Sequence, residues 1–347
     1  MLKKIVIVTI IAIAALATSV SAADMTQTGQ ATGVFLKVAP DARFVAMGDA
    51  GAAASQGVSA LYYNPAGLVN VQDYEAMFTH SEWLADVKFE YLAVSFPMSD
   101  MAQLALSFTY FGYPEMEVTT ITEPDGTGAT FTASDTAVGL TYSRRLLKTV
   151  DFGITGKVVS MKIWDMTANA VAMDAGVKYH TPVKGLTAAL SIANFGTKPK
   201  FEGGQLDRVF SYIEDASSGD AEDYEYTFGQ YTEDHELPMA LRVGFLYTPY
   251  VTDEMTAAIA VDFYNPVDNS EQLNLGGEFG YNVSEEFHVA ARGGYRMATV
   301  ADSIDATYSF GGGLQYMTAG LGIGVDYAYN GYDKLDETHL FTLKLRF

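Results

Sequence analysis

Leu321–Asn330 reads LGIGVDYAYN. Taken in steps of two, Leu321, Ile323, Val325, Tyr327 and Tyr329 share one face, and Gly322, Gly324, Asp326 and Ala328 share the other. Successive side chains of a strand point to opposite faces, so this period predicts a β-strand with one apolar and one mixed face. The pattern recurs upstream. Phe287, Val289, Ala291, Gly293 and Tyr295 alternate with His288, Ala290, Arg292, Gly294 and Arg296. Leu273, Leu275, Gly277, Phe279 and Tyr281 alternate with Asn274, Gly276, Glu278 and Gly280. Val171, Met173, Ala175, Val177 and Tyr179 face away from Asp174, Gly176, Lys178 and His180.

A soluble β-sandwich would alternate too, and three features argue against it. The runs are longer than the roughly five or six residues of an ordinary strand. The apolar face often ends in an aromatic ring, as at Tyr110, Tyr179, Tyr247, Phe263 and Tyr281, which suits an aromatic girdle at a membrane interface. The other face mixes small residues with charges of both signs, among them Asp174, Lys178, Arg242, Asp262, Glu278, Arg292, Asp326 and Lys344. Carboxylates and cations that can pair with one another fit the polar interior of a closed barrel.

Alternation of this kind places strands at 73–82, 88–97, 101–112, 134–147, 150–163, 168–180 and 185–195. It continues at 238–248, 255–264, 271–282, 286–297, 306–317, 319–330 and 338–347, about fourteen in all. Every second connection is short, from MSD after Pro97 to MTAG before Leu321, while the long ones, Tyr113–Ala133 and Gly196–Leu237, fall on the other side. Outer-membrane barrels have an even strand number, short turns at the periplasmic end and longer outer loops. The closing stretch HLFTLKLRF sets Phe341, Leu343, Leu345 and Phe347 against Thr342, Lys344 and Arg346. It is similar to the terminal signal that such barrels present for insertion. The expected fold class is therefore an all-β transmembrane barrel in the outer membrane of a Gram-negative-type bacterium, in contact with its lipid.

Composition agrees. Hydrophobic residues make up 49% of the 347, yet beyond the first residues no apolar stretch reaches the ~18 that a membrane helix needs. At the start, Lys3 and Lys4 precede an apolar run and then TSVSA, which predicts a secretory leader over 1–22, cut after Ala22. The sequence has no cysteine, so neither a lipid-anchored cysteine nor a disulfide framework is expected. A net charge of −21 repels the phosphate backbone that dominates nucleic-acid binding, so no nucleic-acid partner is expected.

Residues 23–72 precede the first strand and lack its alternation. Their densest part, Arg43–Leu68, reads RFVAMGDAGAAASQGVSALYYNPAGL. Fourteen strands enclose more space than their own side chains fill, and small residues let backbones approach closely. The stretch is therefore expected to be a plug or hatch, with a sharp turn at Asn64, Pro65, Ala66 and Gly67 because proline restricts both itself and the residue before it. It lacks the spacing and the Lys-Ser/Thr pair of a phosphate-binding loop. The division expected is leader 1–22, plug 23–72 and barrel 73–347.

The stretch from Gly33 to Leu68, together with HSEWLADVKFEYLAVSFPM at His80–Met98, resembles the PorV/PorQ outer-membrane proteins, relatives of the FadL-like fatty-acid transporter barrels. Phe35, Arg43, Met47 and Gly48 match its plug signature, along with Asn64–Gly67 and Trp83-Leu84. The resemblance is sharp over residues 33–98, and the Asn-Pro-Ala-Gly element is shared with FadL-like barrels generally. It implies a non-enzymatic component of type IX secretion, whose partners would be a translocon and the C-terminal domains of cargo. The alternative it implies is a FadL-like channel for hydrophobic small molecules, distinguished by an apolar cavity of a few hundred Å³ beside the plug.

Other constellations carry less. The loop from Gly196 to Leu237 is acidic and interleaved with aromatic residues, which reads as a solvated outer loop or a partner surface. The five histidines have no metal-ligand spacing, so no metal or cofactor is expected. Asp234-His235 is the one adjacent Asp-His pair, and no nucleophile turn accompanies it, so no catalytic residue is assigned.

Overall fold

The computed structural model describes residues 29–214, 222–298, 307–332 and 336–347, and the fold is stated for these. The leader expected at 1–22 lies outside them. The first strands are β1 (Glu75–Glu82), β2 (Lys88–Ser99) and β3 (Ala102–Gly112). A two-residue pair, β4 (Met116–Glu117) with β5 (Thr130–Phe131), sits in the connection that follows. Then come β6 (Ala133–Leu147), β7 (Val150–Ile163), β8 (Met166–His180) and β9 (Leu186–Gly196). The longest connection carries its own hairpin, β10 (Asp207–Glu214) with β11 (Glu222–Gly229). The remaining strands are β12 (Ala240–Val251), β13 (Met255–Pro266), β14 (Gln272–Asn282), β15 (Phe287–Ala298), β16 (Thr307–Met317), β17 (Gly322–Asn330) and β18 (Thr338–Arg346).

Fourteen of these strands form one closed antiparallel barrel, with both small hairpins outside it. Closure is made by β1, which pairs with β2 on one side and with β18 on the other, from Glu75 opposite Arg346 to Glu82 opposite His339. Closure leaves no edge strand whose N–H and C=O groups would face hydrocarbon unpaired. At one end every connection is short, none longer than Thr181–Gly185; both long connections lie at the other end. No helix among the described residues is long and apolar enough to cross a membrane; the strands cross instead.

Alternation sorts the side chains as the sequence implies. Along β2, Phe89, Tyr91 and Ala93 are buried inside while Leu92 is 47% exposed outside. Along β18, Leu340 and Thr342 point in, and Phe341 and Leu343 point out. The outward row of β3 (Leu106, Phe108) and of β16 (Tyr308, Phe310, Leu314, Tyr316) is likewise exposed. A continuous apolar exterior is stable only against lipid.

The N-terminal residues lie within this wall. Asp41 caps the short helix Ala42–Val45, a second one spans Ala60–Tyr63, and Asn64 caps a 3-10 helix at Pro65–Asn70. None of these turns is long enough to be stable alone; they persist because the barrel surrounds them. Two glycines show how close the wall comes. A Cβ on Gly153 would lie 2.2 Å from the carbonyl carbon of Pro65, and one on Gly294 would lie 2.0 Å from the Gly48 nitrogen. The resulting core has two parts, one around Phe35, Phe89, Phe111 and Met161, the other around Phe44, Met47, Tyr63 and Leu340.

Candidate functional site

The Asn64–Gly67 turn docks on one side of the wall. Asn64 is fully buried. Its Oδ1 accepts the Ala66 N–H at 3.1 Å, while its Nδ2 donates to the carbonyl oxygens of Val177 and Leu190 at 3.2 and 3.3 Å. Ser143 Oγ donates to the Ala66 carbonyl at 3.2 Å. One amide side chain thus caps a turn and ties it to β8 and β9. Pro65 supplies the fixed φ at the first helical position, where its missing N–H costs nothing. The Gly67 N–H closes the turn on the Asn64 carbonyl at 2.9 Å.

Opposite, the helix Ala42–Val45 is held by charge. Arg43 donates from Nε and Nη2 to Glu278 at 2.8 and 2.6 Å. Arg292 joins Glu278 at 2.6 Å to Asp326 at 2.7 Å. Lys344 lies 3.6 Å from Asp326 and 2.9 Å from Asp41. Asp41 Oδ1 in turn accepts the Arg43 backbone N–H at 3.0 Å. The six side chains form a closed circuit, three cations and three anions, linking the helix to β14, β15, β17 and β18. Burial alone would keep the Asp41 carboxyl neutral, but the Lys344 charge and hydrogen bonds from Ser59, Lys344 and the Arg43 N–H hold it below the usual carboxylate range. Gly48 takes φ +65° and donates its N–H to Ser309 Oγ at 3.1 Å. Met47 is buried beside it.

Phe35 belongs to a third place. At the long-loop end lies a cavity of about 320 Å³. Val34, Phe35 and Val38 of the N-terminal segment form one side, and Trp83, Phe111 and Tyr332 face them. Trp83 is set by a tight turn in which Ala85 and Asp86 take φ of 57° and 59°, a conformation that residues with a Cβ adopt only at some cost. The charges around the cavity are paired with one another. Lys37 binds Asp268 at 2.7 Å, and Arg296 binds Asp49 and Asn330 at 2.6 Å each. An aromatic wall with neutralised charges suits an apolar body.

Further in lies a smaller cavity of about 50 Å³, and Phe35 and Val38 line both. Its walls combine apolar residues such as Leu36, Leu61 and Tyr91 with the polar residues Ser107, Thr155, Lys157, Asn194 and Arg242. Lys157 is paired with Asp174 at 2.9 Å and also donates to Asn194.

The residues singled out in the sequence therefore do not converge on one centre. Asn64–Gly67 sit on β6–β9, Arg43, Met47 and Gly48 on β14–β18, and Phe35 between two cavities. Phe341, Leu343 and Phe347 lie on the outer surface, where Phe347 stacks on Tyr74 at 6.3 Å. Residues that sequence reasoning did not find include Phe111 and Tyr332, and Arg296 was seen only as a position on the mixed face of its strand. Arg242 was seen only as an inward charge. Among the described residues no group of histidines and carboxylates could hold a metal ion.

No protein-family model matches the sequence, and no curated protein matches it either. Solved structures do match in fold. The CymD monoaromatic hydrocarbon channel aligns with a TM-score of 0.57 and 10% identity, covering 89% of this chain and 97% of its own. The Pseudomonas putida toluene transporter TodX gives 0.55 and 12%, covering 88% and 96%. The Ralstonia pickettii toluene transporter TbuX gives 0.50 and 11%, covering 88% and 97%. At these identities the likeness shows a shared fold.

Proposed function

We propose that this protein is a non-enzymatic, FadL-like outer-membrane conduit for small hydrophobic molecules, with the segment up to residue 72 as its plug. The leader 1–22 delivers it, and the C-terminal row ending at Phe347 guides its insertion. The cavity of about 320 Å³ between that segment and the aromatic residues Trp83, Phe111 and Tyr332 carries the reading. An apolar cavity of about 150 Å³ already accommodates benzene, so the space suits a body of one or two rings. The hydrocarbon channels that share the fold support the same reading.

Of the two roles that the resemblance implied, the conduit requires such a cavity and the type IX secretion role does not. The conduit is therefore preferred. The test is uptake of labelled toluene and naphthalene by a Gram-negative host stripped of its own hydrophobic-solute barrels. The wild-type protein is expected to raise uptake several-fold, and Trp83→Arg, which puts a charge into the cavity, to return it to the host's level. Uptake no higher than in the empty host, with a translocon protein co-purifying in stoichiometric amount, would overturn the reading.

A further inference from the structure

The lumenal carboxylates Asp41, Asp49, Asp174, Asp268, Glu278 and Asp326 each lie against a lysine or an arginine. Asp135, on β6, does not. Its residue is 9% exposed, and its Oδ2 accepts from the Tyr113 hydroxyl at 2.9 Å. Among the described residues no cation is in ion-pair contact with it. Asp262 also has no ion pair, but it accepts the Ala52 N–H at 2.7 Å and lines neither cavity. Asp135 stands one hydrogen bond behind the outer cavity, because Tyr113 is part of that cavity's wall. The same wall holds Phe111, its ring centroid 5.6 Å from that of Tyr113, and Trp83 with Tyr332, edge to face at 6.2 Å.

An ionised carboxylate has room for about four hydrogen bonds and donates none. Taking one out of water without a counter-charge is unfavourable. The rings nearby do not relieve it, since their faces carry the negative end of the quadrupole and attract cations. Tyr113 has a single hydroxyl proton and Asp135 holds it, so the tyrosine oxygen can only accept from whatever enters the cavity. The charge around the cavity is also out of balance. Lys37 and Arg296 are set against Asp49, Asp268 and Asp135, two cations against three carboxylates.

We infer that the outer cavity is an organic-cation subsite, where Asp135 and the Tyr113 oxygen receive an ammonium group carried on an apolar body. This rests on the conduit reading and narrows it. An ammonium has three donors and no acceptor. One donor is taken by the Tyr113 oxygen, and the charge is met by the Asp135 carboxylate behind it and by the rings of Trp83, Phe111 and Tyr113. The cavity of about 320 Å³ has space for the body as well, since about 150 Å³ holds benzene. A neutral hydrocarbon fills the same space but leaves Asp135 without a counter-charge. Only a ligand that brings its own positive charge balances the site.

The test compares benzylamine, protonated at neutral pH, with benzyl alcohol, a neutral probe of the same shape, by calorimetric titration of the purified full-length barrel in detergent. Toluene is the third probe. The chain is acidic, so the titrations are run at about 0.5 M salt, which screens surface attraction and leaves a buried pair largely unscreened. Benzylamine is expected to bind at least about tenfold more tightly than benzyl alcohol. Asp135→Asn keeps an acceptor for Tyr113 and removes the charge, and should bring that ratio to about one. Heat-dependent electrophoretic mobility confirms that the variant is folded, and the wild-type ratio alone decides the matter if it is not. A preference that persists in folded Asp135→Asn overturns the cation subsite, as does toluene binding to the wild type with no preference for benzylamine over benzyl alcohol. Either result leaves the conduit standing. Binding of none of the three overturns both.

Discussion

Arg43 and Glu278 form a two-pronged ion pair, Nε at 2.8 Å and Nη2 at 2.6 Å from the two carboxylate oxygens, between the N-terminal segment and the wall. It is the one link in the circuit of six charges that a single side chain of the segment makes to β14. Glu278 keeps Arg292 at 2.6 Å when Arg43 is removed, so no carboxylate is stranded. Arg43→Ala should therefore loosen the segment without collapsing the barrel. Two charge-assisted hydrogen bonds are lost, a destabilisation of about 2 kcal/mol, readable as a lower urea midpoint in detergent. Ion conductance in a planar bilayer should rise with it. An unchanged conductance would mean that the circuit braces the wall and does not hold a plug.

Close approach at the opposite side makes a separate prediction. Gly153 faces inward beneath Pro65, where a Cβ would lie 2.2 Å from the Pro65 carbonyl carbon, while Gly156, on the outer face of the same strand, has nothing within 4 Å of its own. Gly153→Val should expel the Asn64–Gly67 turn from its seat, opening the lumen to ions and exposing residues 60–72 to added protease. Gly156→Val should do neither, and the pair controls for any general effect of valine in this strand. Deleting residues 60–70 should raise conductance at least as far.

Acid should act through Asp41. Its folded pKa lies below the ordinary aspartate value of 3.8, so the unfolded chain binds the proton more readily. The stabilisation is then fully present above that value and is lost as pH falls through the lower, folded one. Conductance should stay flat from neutral pH to about 4 and climb only below it. Asp41→Asn keeps the helix cap but removes the charge, so this variant should begin at a higher conductance and show a smaller acid rise. Equal acid responses in both proteins would assign the transition to other carboxylates.

How much of this was legible in the sequence follows from what periodicity can encode. A strand's two faces are written locally, so 150–163 was expected and Val150–Ile163 is found; 255–264 was expected and Met255–Pro266 is found. The first strand begins at Glu75, two residues later than expected, although Tyr74 still exchanges backbone hydrogen bonds with Phe347 and so carries the pairing one residue further. The small hairpins β4–β5 and β10–β11 were missed, since they lie in connections, outside the alternating runs. The inward charges Glu278, Arg292, Asp326 and Lys344 were each visible as polar positions. That Arg292 bridges Glu278 and Asp326 depends on strand register, which no single segment contains. The cavities were the least legible. Trp83, Phe111 and Tyr332 meet only because the sheet closes on itself.

Phe35 carries the last prediction. It is 1% exposed, touches Phe111 at a centroid distance of 6.4 Å, and lines both cavities. Its backbone is fixed by a 3-10 turn, Val34–Lys37, that follows Gly33 at φ +79°, so the ring cannot retreat without the turn. Phe35→Ala should join the two spaces and widen the boundary between them. Truncating a buried phenylalanine costs about 3–5 kcal/mol, and a barrel closed by fourteen paired strands can bear that loss and still fold. The expected outcome is a higher ratio of naphthalene to toluene uptake than in the wild type, because the larger body gains most from the added space. A ratio unchanged in a variant that still inserts and still takes up toluene would show that Phe35 packs the core and does not set the size limit.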